Sequence, residues 1–418
     1  MKKIIYVLLL LVPNAILCGL PHFNLFNAYD VLLFPTPRPG AKHQVTFGYE
    51  RLIKASGFTD DEDEEELPIE KRKVNPLQIW QCEQDALAAF KGCNFDTLIG
   101  QESQYCNIDD DNGSHGRFIP CGDFDVNNIM AMWRYYVCQN ITVGFFLPYI
   151  DMKLKNVLWR EIRDDTFYES IIDPTILLRL QETTGLYLGP WHRHGFGDLA
   201  FEFQWWNYYP QARPILNAVY ASFRGGVTIP TGKKADPNIV FGVPFGFDGN
   251  VGVLFAGTFE LTFINHAQFG VDLEFHKVFG NTRCRRIKTD PAQTDLLFPV
   301  KISAYEEFGI IQHYTLWLNW RNLYENLSAR FAYQFTSQDN NELYLCNDHY
   351  AVTTANTSIS LREWTTHHFV FSLKYDFWEC NEMDHLISPS LMIFAKKALN
   401  GRNAIVGDTI GATVCLTY

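Results

Sequence analysis

Ionisable side chains at alternate positions are the residues here whose types and spacing could do chemistry. Glu260, Asp272 and Glu274, with His276 beside them, share one parity with Asn250, Thr258, Thr262 and Gln268. The opposite parity carries Val251, Val253, Phe255, Gly257, Phe259, Leu261 and Phe263 in one segment, then Ala267, Phe269, Val271, Leu273 and Phe275 in the next. A period of two gives each face of a strand one character. Carboxylates gathered on one face can set a field that ions or solutes feel, or can pair with cations across the strands and fill an interior.

The same parity rule picks out Glu50, Arg134, Asp198, Glu202, Arg224, Arg330, Lys374 and Asp376 as inward-facing. With the first three acids this makes seven carboxylates against four cations. If these groups line an open path, the excess predicts a modest preference for cations, most visible at low salt.

Other chemistry is weaker. His192 and His194, or the pair His367-His368, could act as bases or metal ligands. No G-x-S-x-G occurs, and no histidine pair has the i, i+4 helical spacing of a zinc hydrolase. No enzyme activity, cofactor or resident metal is therefore expected. Asp109-Asp110-Asp111-Asn112-Gly113 resembles a calcium loop, but Pro120 stands where its closing Glu belongs, so a turn is expected.

Strands must position these groups. The two segments around Asn265-His266 run to about 13 to 15 residues, against about five or six for an ordinary strand and about 9 to 11 for one crossing a bilayer at a tilt. The segment Leu216 to Ile229 alternates likewise and leaves through Pro230-Thr231-Gly232. A strand in lipid cannot bare an unpaired edge, so the sheet must close. Further strands are predicted at Ala41 to Leu52, Phe124 to Val137, Ile141 to Trp159, Gly197 to Tyr208, within Phe298 to Arg321, at Leu327 to Phe335, His367 to Trp378, Ile387 to Lys397 and Ile405 to Tyr418. The total is twelve, and an even number puts both ends on one side. Long and short connections alternate, as they do in barrels with short inner turns and long outer loops. Trp191 and the pair Trp205-Trp206 are expected in the aromatic girdles.

The fold class is thus all-β: a single closed antiparallel transmembrane barrel of 418 residues with no dividing linker. Aromatics at 15% exceed the needs of a plain core, while a mean hydropathy of -0.12 argues against a bundle of membrane helices. Residues 1–19 read as a secretory signal: Met1-Lys2-Lys3, an apolar run from Ile4, and small residues near Gly19. Leu17 beside Cys18 is too bulky for a lipoprotein signal. Losing Lys2 and Lys3 takes the formal charge from -12 to -14, which disfavours a nucleic-acid partner. Residues 20–40 form a periplasmic lead-in and 41–418 the barrel. An insert at 53–123 holds the acidic run Asp60 to Glu66, a short helical piece Glu83 to Lys91 ended by Gly92, and Cys82, Cys93, Cys106 and Cys121. In an exported chain those four cysteines predict two local disulfides. A second helical turn is expected near Ile176 to Gln181. Twelve strands lie between a side-chain-filled barrel of eight and an open channel of 16 to 18, so a narrow path obstructed by the insert is expected.

The last strand, Thr409 to Tyr418, alternates and ends on an aromatic. It resembles the terminal signal of Gram-negative outer-membrane proteins, which implies export to that membrane and recognition by its assembly machinery. Gly197-Asp198-Leu199 followed by Ile229-Pro230-Thr231-Gly232 resembles the transporter-like barrels associated with the meta-pathway of phenol degradation. That resemblance implies a barrel of about twelve strands passing small solutes across the lipid bilayer. A structural or adhesive barrel acting through its outer loops is the other reading of the same pattern.

Overall fold

A computed structural model of the chain describes residues 30–38, 40–59, 72–93, 117–162, 176–263, 267–377 and 387–418. The predicted signal, the acidic run, Cys106 and the loop at 109–113 lie outside the described residues.

Twelve long strands alternate side chains in and out: β1 (His43–Phe58), β2 (Arg117–Cys138), β3 (Ile141–Glu161), β4 (Leu199–Pro210), β5 (Leu216–Ile229), β6 (Gly252–Phe263), β7 (Ala267–Val278), β8 (Ile310–Tyr324), β9 (Leu327–Gln338), β10 (Trp364–Asp376), β11 (Ser388–Arg402) and β12 (Ala404–Thr417). Each pairs antiparallel with the next, and β12 returns to β1 in the register Val45↔Leu416, Phe47↔Val414, so the sheet closes. Tyr418 seals the seam: its carbonyl accepts from the backbone N–H groups of Lys42 and His43 at 2.8 and 2.7 Å.

Closure sorts the faces. Phe255 and Phe259 are 57% and 46% exposed, while Glu260, Asp272 and Glu274 on the opposite parity are 3%, 0% and 1% exposed. Phe47, Trp133, Phe201, Phe223, Leu318, Phe331, Phe369 and Ile393 continue the exposed apolar belt. A monomer in water rarely bares more than a few hundred Å² of contiguous apolar surface. A closed barrel with charges inside and this belt outside has lipid as the solvent of its outer face.

The outer ends rise past the membrane. β2 and β3 have 22 and 21 residues, about twice a crossing. On β3 the outward side chains change from Phe145, Leu147 and Tyr149 to Asp151, Lys153 and Lys155. Beyond the rim Asn281–Arg286, Lys301–Glu307 and Glu342–Leu345 form a separate three-stranded sheet. The stretch Phe298 to Arg321 therefore holds two strands, one in this cap and one, β8, in the wall. Leu77, Ile79 and Trp80 of the insert pack with Phe241, Val243 and Phe245 of the β5–β6 loop against Leu52, Phe124, Ile150 and Leu154 of the wall.

Several expectations change. The helical piece at 83–91 is a two-residue strand, Gln84–Asp85, and a single 3-10 turn, Ala88–Phe90. Nine residues are too few to hold a helix against tertiary pairing, and the Asp85 carboxylate caps the turn through Leu87 and Ala88 N–H at 2.9 and 3.0 Å. The helix after residue 175 is present as α1 (Ile176–Thr184). Of the expected girdle tryptophans only Trp205 faces out; Trp206 stacks on Tyr220 inside and Trp191 joins the outer core. Adjacent residues of a strand cannot share a face. Within the lead-in, residues 30–38 run inside the barrel rather than below it: Leu33 and Phe34 pack with Met130, Met132, Phe146, Met392 and Phe394.

Candidate functional site

The interior is organised around Arg224 on β5. Its Nη2 bonds both Asp272 oxygens at 2.8 and 2.7 Å and Glu274 at 3.3 Å, and its Nη1 lies 3.6 Å from Glu202. The parity that puts Arg224 inward on β5 puts Glu202 inward on β4 and the two acids inward on β7. Thr258 donates to Asp272 at 2.5 Å, and His276 Nε2 lies 2.6 Å from Glu274. Three carboxylates thus share one planar guanidinium that can fork between them.

Glu260 belongs to a neighbouring node. It accepts from Gln268 at 2.7 Å and from the Trp317 indole at 3.2 Å, and Arg330 lies over that indole at 5.9 Å. Trp317 crosses the wall because its partner on β7 is Gly270, where a Cβ would meet the ring at 2.2 Å.

The third node ties the inner segment to the wall. Lys396 bridges Asp30 at 2.9 Å and Glu50 at 3.5 Å, and Thr409 donates to Glu50 at 2.6 Å. Arg134 donates to Pro35 O at 2.8 Å and to Gln44 at 2.6 Å. At the inner mouth Arg38 meets Asp376 at 2.6 Å, which also pairs with Lys374 at 2.9 Å. Between the segment and the wall lies a small, narrow cavity lined by Arg134, Glu202, Arg224, Glu260, Trp317 and Arg330 among others.

Asp198 does something else. At the outer end of the wall its carboxylate accepts from Gly232 N at 2.9 Å and Phe247 N at 2.5 Å, while Thr231 Oγ1 donates to Gly197 O at 2.8 Å and accepts from Leu199 N at 2.9 Å. The Gly-Asp and Pro-Thr-Gly stretches meet in space as a latch that folds the β5–β6 loop inward. A Cβ at Gly232 would sit 2.0 Å from Phe245 O.

The inward set by parity therefore divides. Glu50, Arg134, Glu202, Arg224, Glu260, Asp272, Glu274 and His276 are buried inside; Arg330, Lys374 and Asp376 are half-buried; Asp198 is buried at the rim. Asp30 and Lys396 escaped sequence reasoning. A signal for them existed: Met130, Met132, Phe146, Met392 and Phe394 are apolar on the inward parity, which in a polar interior marks a wall that packs against protein.

No disulfide joins Cys82, Cys93 and Cys121 to one another: Cys93 is a buried thiol and Cys121 a half-buried one. The expected pairings with Cys106 lie outside the described residues. The two histidine pairs lie apart from each other, His192 and His194 beside β3, His367 and His368 on β10.

No protein-family model matches the chain, and no curated protein is similar to it. Among solved structures it is similar to the COG4313 outer membrane channel from Pseudomonas putida F1, at 11% identity over 91% of this chain and 97% of that one, with a TM-score of 0.48. It is also similar to the β domain of the Bordetella autotransporter BrkA (6% identity, 90% and 100% covered, TM-score 0.33) and to a Pseudomonas aeruginosa FadL homologue (7%, 90% and 90%, 0.29). At these values the strands of the chain itself carry the assignment. Its closed wall, lipid-facing belt and charged interior are those of an outer-membrane β-barrel of the Gram-negative type.

Proposed function

We propose that the barrel is a narrow channel or transporter for small solutes, with a slight preference for cations. The observation that supports this best is the interior itself: acids and bases in bonded nodes surround a narrow cavity between the wall and the inner segment 30–38. A barrel needed only as a scaffold could fill the same volume with apolar side chains, without the desolvation that each buried charge costs. The segment 30–38 supplies the obstruction, together with the outer segments at 77–80 and 241–245 that pack against the wall. Adding Asp30, Arg38 and Lys396, and leaving Asp198 to its latch, the lumen holds seven carboxylates (residues 30, 50, 202, 260, 272, 274 and 376) and six cations (38, 134, 224, 330, 374 and 396). The excess is smaller than the parity rule gives, so the selectivity is slight. Liposome swelling with solutes of increasing size tests the reading: uptake with a sharp low size limit is expected, and liposomes that admit nothing would leave a barrel acting through its loops.

A further inference from the structure

We propose that Asp151, His192 and His194 form a site for one divalent transition-metal ion on the outer rim of the barrel, with coordination positions open to the outside. His192 and His194 are two apart on the strand Trp191–Phe196, which puts both rings on one face about 6.6 Å apart along the backbone. That strand pairs with β3 in the register Asp151↔His194 and Lys153↔His192, so the carboxylate stands across from the histidines on the same outward face. The rings lie 5.6 Å apart, His192 Nε2 is 2.6 Å from Asp151 Oδ1, and one donor atom from each of the three residues falls within 4.8 Å of the others. Donors held about 2.0 to 2.2 Å from one ion stand about 3 to 3.6 Å from each other, so the close His192–Asp151 pair must open a little and the wider separations must close, both by χ rotation of two exposed rings.

The backbone that carries them is held from behind. Trp191 is buried in the outer core, and Arg193, facing inward between the two histidines, donates to Val243 O at 2.9 Å and to Lys234 O, with its guanidinium 5.5 Å over the Phe245 ring. A ligand set on a rigid strand loses little freedom when it closes on an ion. On the membrane side Tyr149 and Phe196 pack edge to face at 5.3 Å, so the cluster is the first polar layer above the lipid belt. Two imidazoles with one carboxylate select Zn²⁺, Cu²⁺ or Ni²⁺ over the hard cations Ca²⁺ and Mg²⁺, which prefer all-oxygen sites. Lys153, whose Nζ lies 3.9 Å from Asp151 Oδ2, opposes the ion by its charge, but it is a third exposed and free to turn away. An ordinary surface pair of His192 with Asp151 would not need the second histidine on the same face.

The test uses the untagged full chain in detergent micelles. Calorimetric titration with Zn²⁺ should show one saturable site per chain that excess Ca²⁺ does not displace, and Cu²⁺ bound there should show hyperfine coupling to two imidazole nitrogens. His192→Ala and His194→Ala should each weaken Zn²⁺ binding by at least about tenfold, the double variant should abolish it, and Asp151→Asn should weaken it. Heat-modifiable migration on gels confirms that each variant is folded. Absence of saturable Zn²⁺ binding in the wild type, or binding that survives in the folded double variant, overturns the proposal.

Discussion

Arg224 is the residue on which the interior depends most. Its removal leaves Glu202, Asp272 and Glu274 sharing a buried space without their cation, a change that costs about 3 to 5 kcal/mol when one partner of a buried pair is lost. Arg224→Met should lower the urea midpoint accordingly. Arg224→Lys, which keeps the charge but not the fork, should fall between it and the wild type; equal midpoints for all three would show that the acids find other partners. Cys93 gives a second residue-level test. Burial pushes its thiol up to about 11, so at pH 8 almost none is thiolate, the form that reacts. Iodoacetamide should label exposed Cys138 and Cys346 first and Cys93 only after denaturation, by mass spectrometry; labelling of Cys93 at the rate of Cys138 would contradict its burial.

At the scale of elements, the latch at Asp198 holds the β5–β6 loop. Asp198→Ala removes the acceptor of two backbone N–H groups, at about 1 to 3 kcal/mol for each donor left unsatisfied. Gly232→Ala forces a Cβ against Phe245 O. Either change should make the folded barrel more sensitive to trypsin at Lys233 and Lys234 than the wild type; equal sensitivity in all three would show that the loop is held elsewhere. The wall was legible in the sequence because lipid outside and charge inside enforce one repeating pattern, seen most clearly in β6, β7 and β12. What the pattern did not reveal has a common cause. The 3-10 turn at Ala88–Phe90 and the latch depend on contacts between segments far apart in the chain, which a period of two does not encode, whereas the inward Trp206 follows from that period once Trp205 is placed outward. Asp198 obeyed the parity rule yet works at the rim, since parity gives a face and not a height along the barrel.

For the whole molecule, the proposed channel assigns selection to the interior charges and the inner segment. Neutralising Glu260, Asp272 and Glu274 together, as Glu260→Gln, Asp272→Asn and Glu274→Gln, should shift the reversal potential in a salt gradient toward anions. It should also lower stability, because Arg224 keeps only Glu202. An unchanged reversal potential would show that these acids serve structure alone. The segment 30–38 packs inside the barrel through Leu33 and Phe34, and the bonds from Arg134 to Pro35 and Lys396 to Asp30 fix its place. Ion conductance in a planar bilayer, compared between the full chain and a chain lacking Val31 to Pro37, measures its role most directly. A small conductance in the full chain and a several-fold larger one in the folded deletion is the result expected of a channel narrowed by its own N-terminal segment. Equal conductance in the two, or none in either, would contradict it.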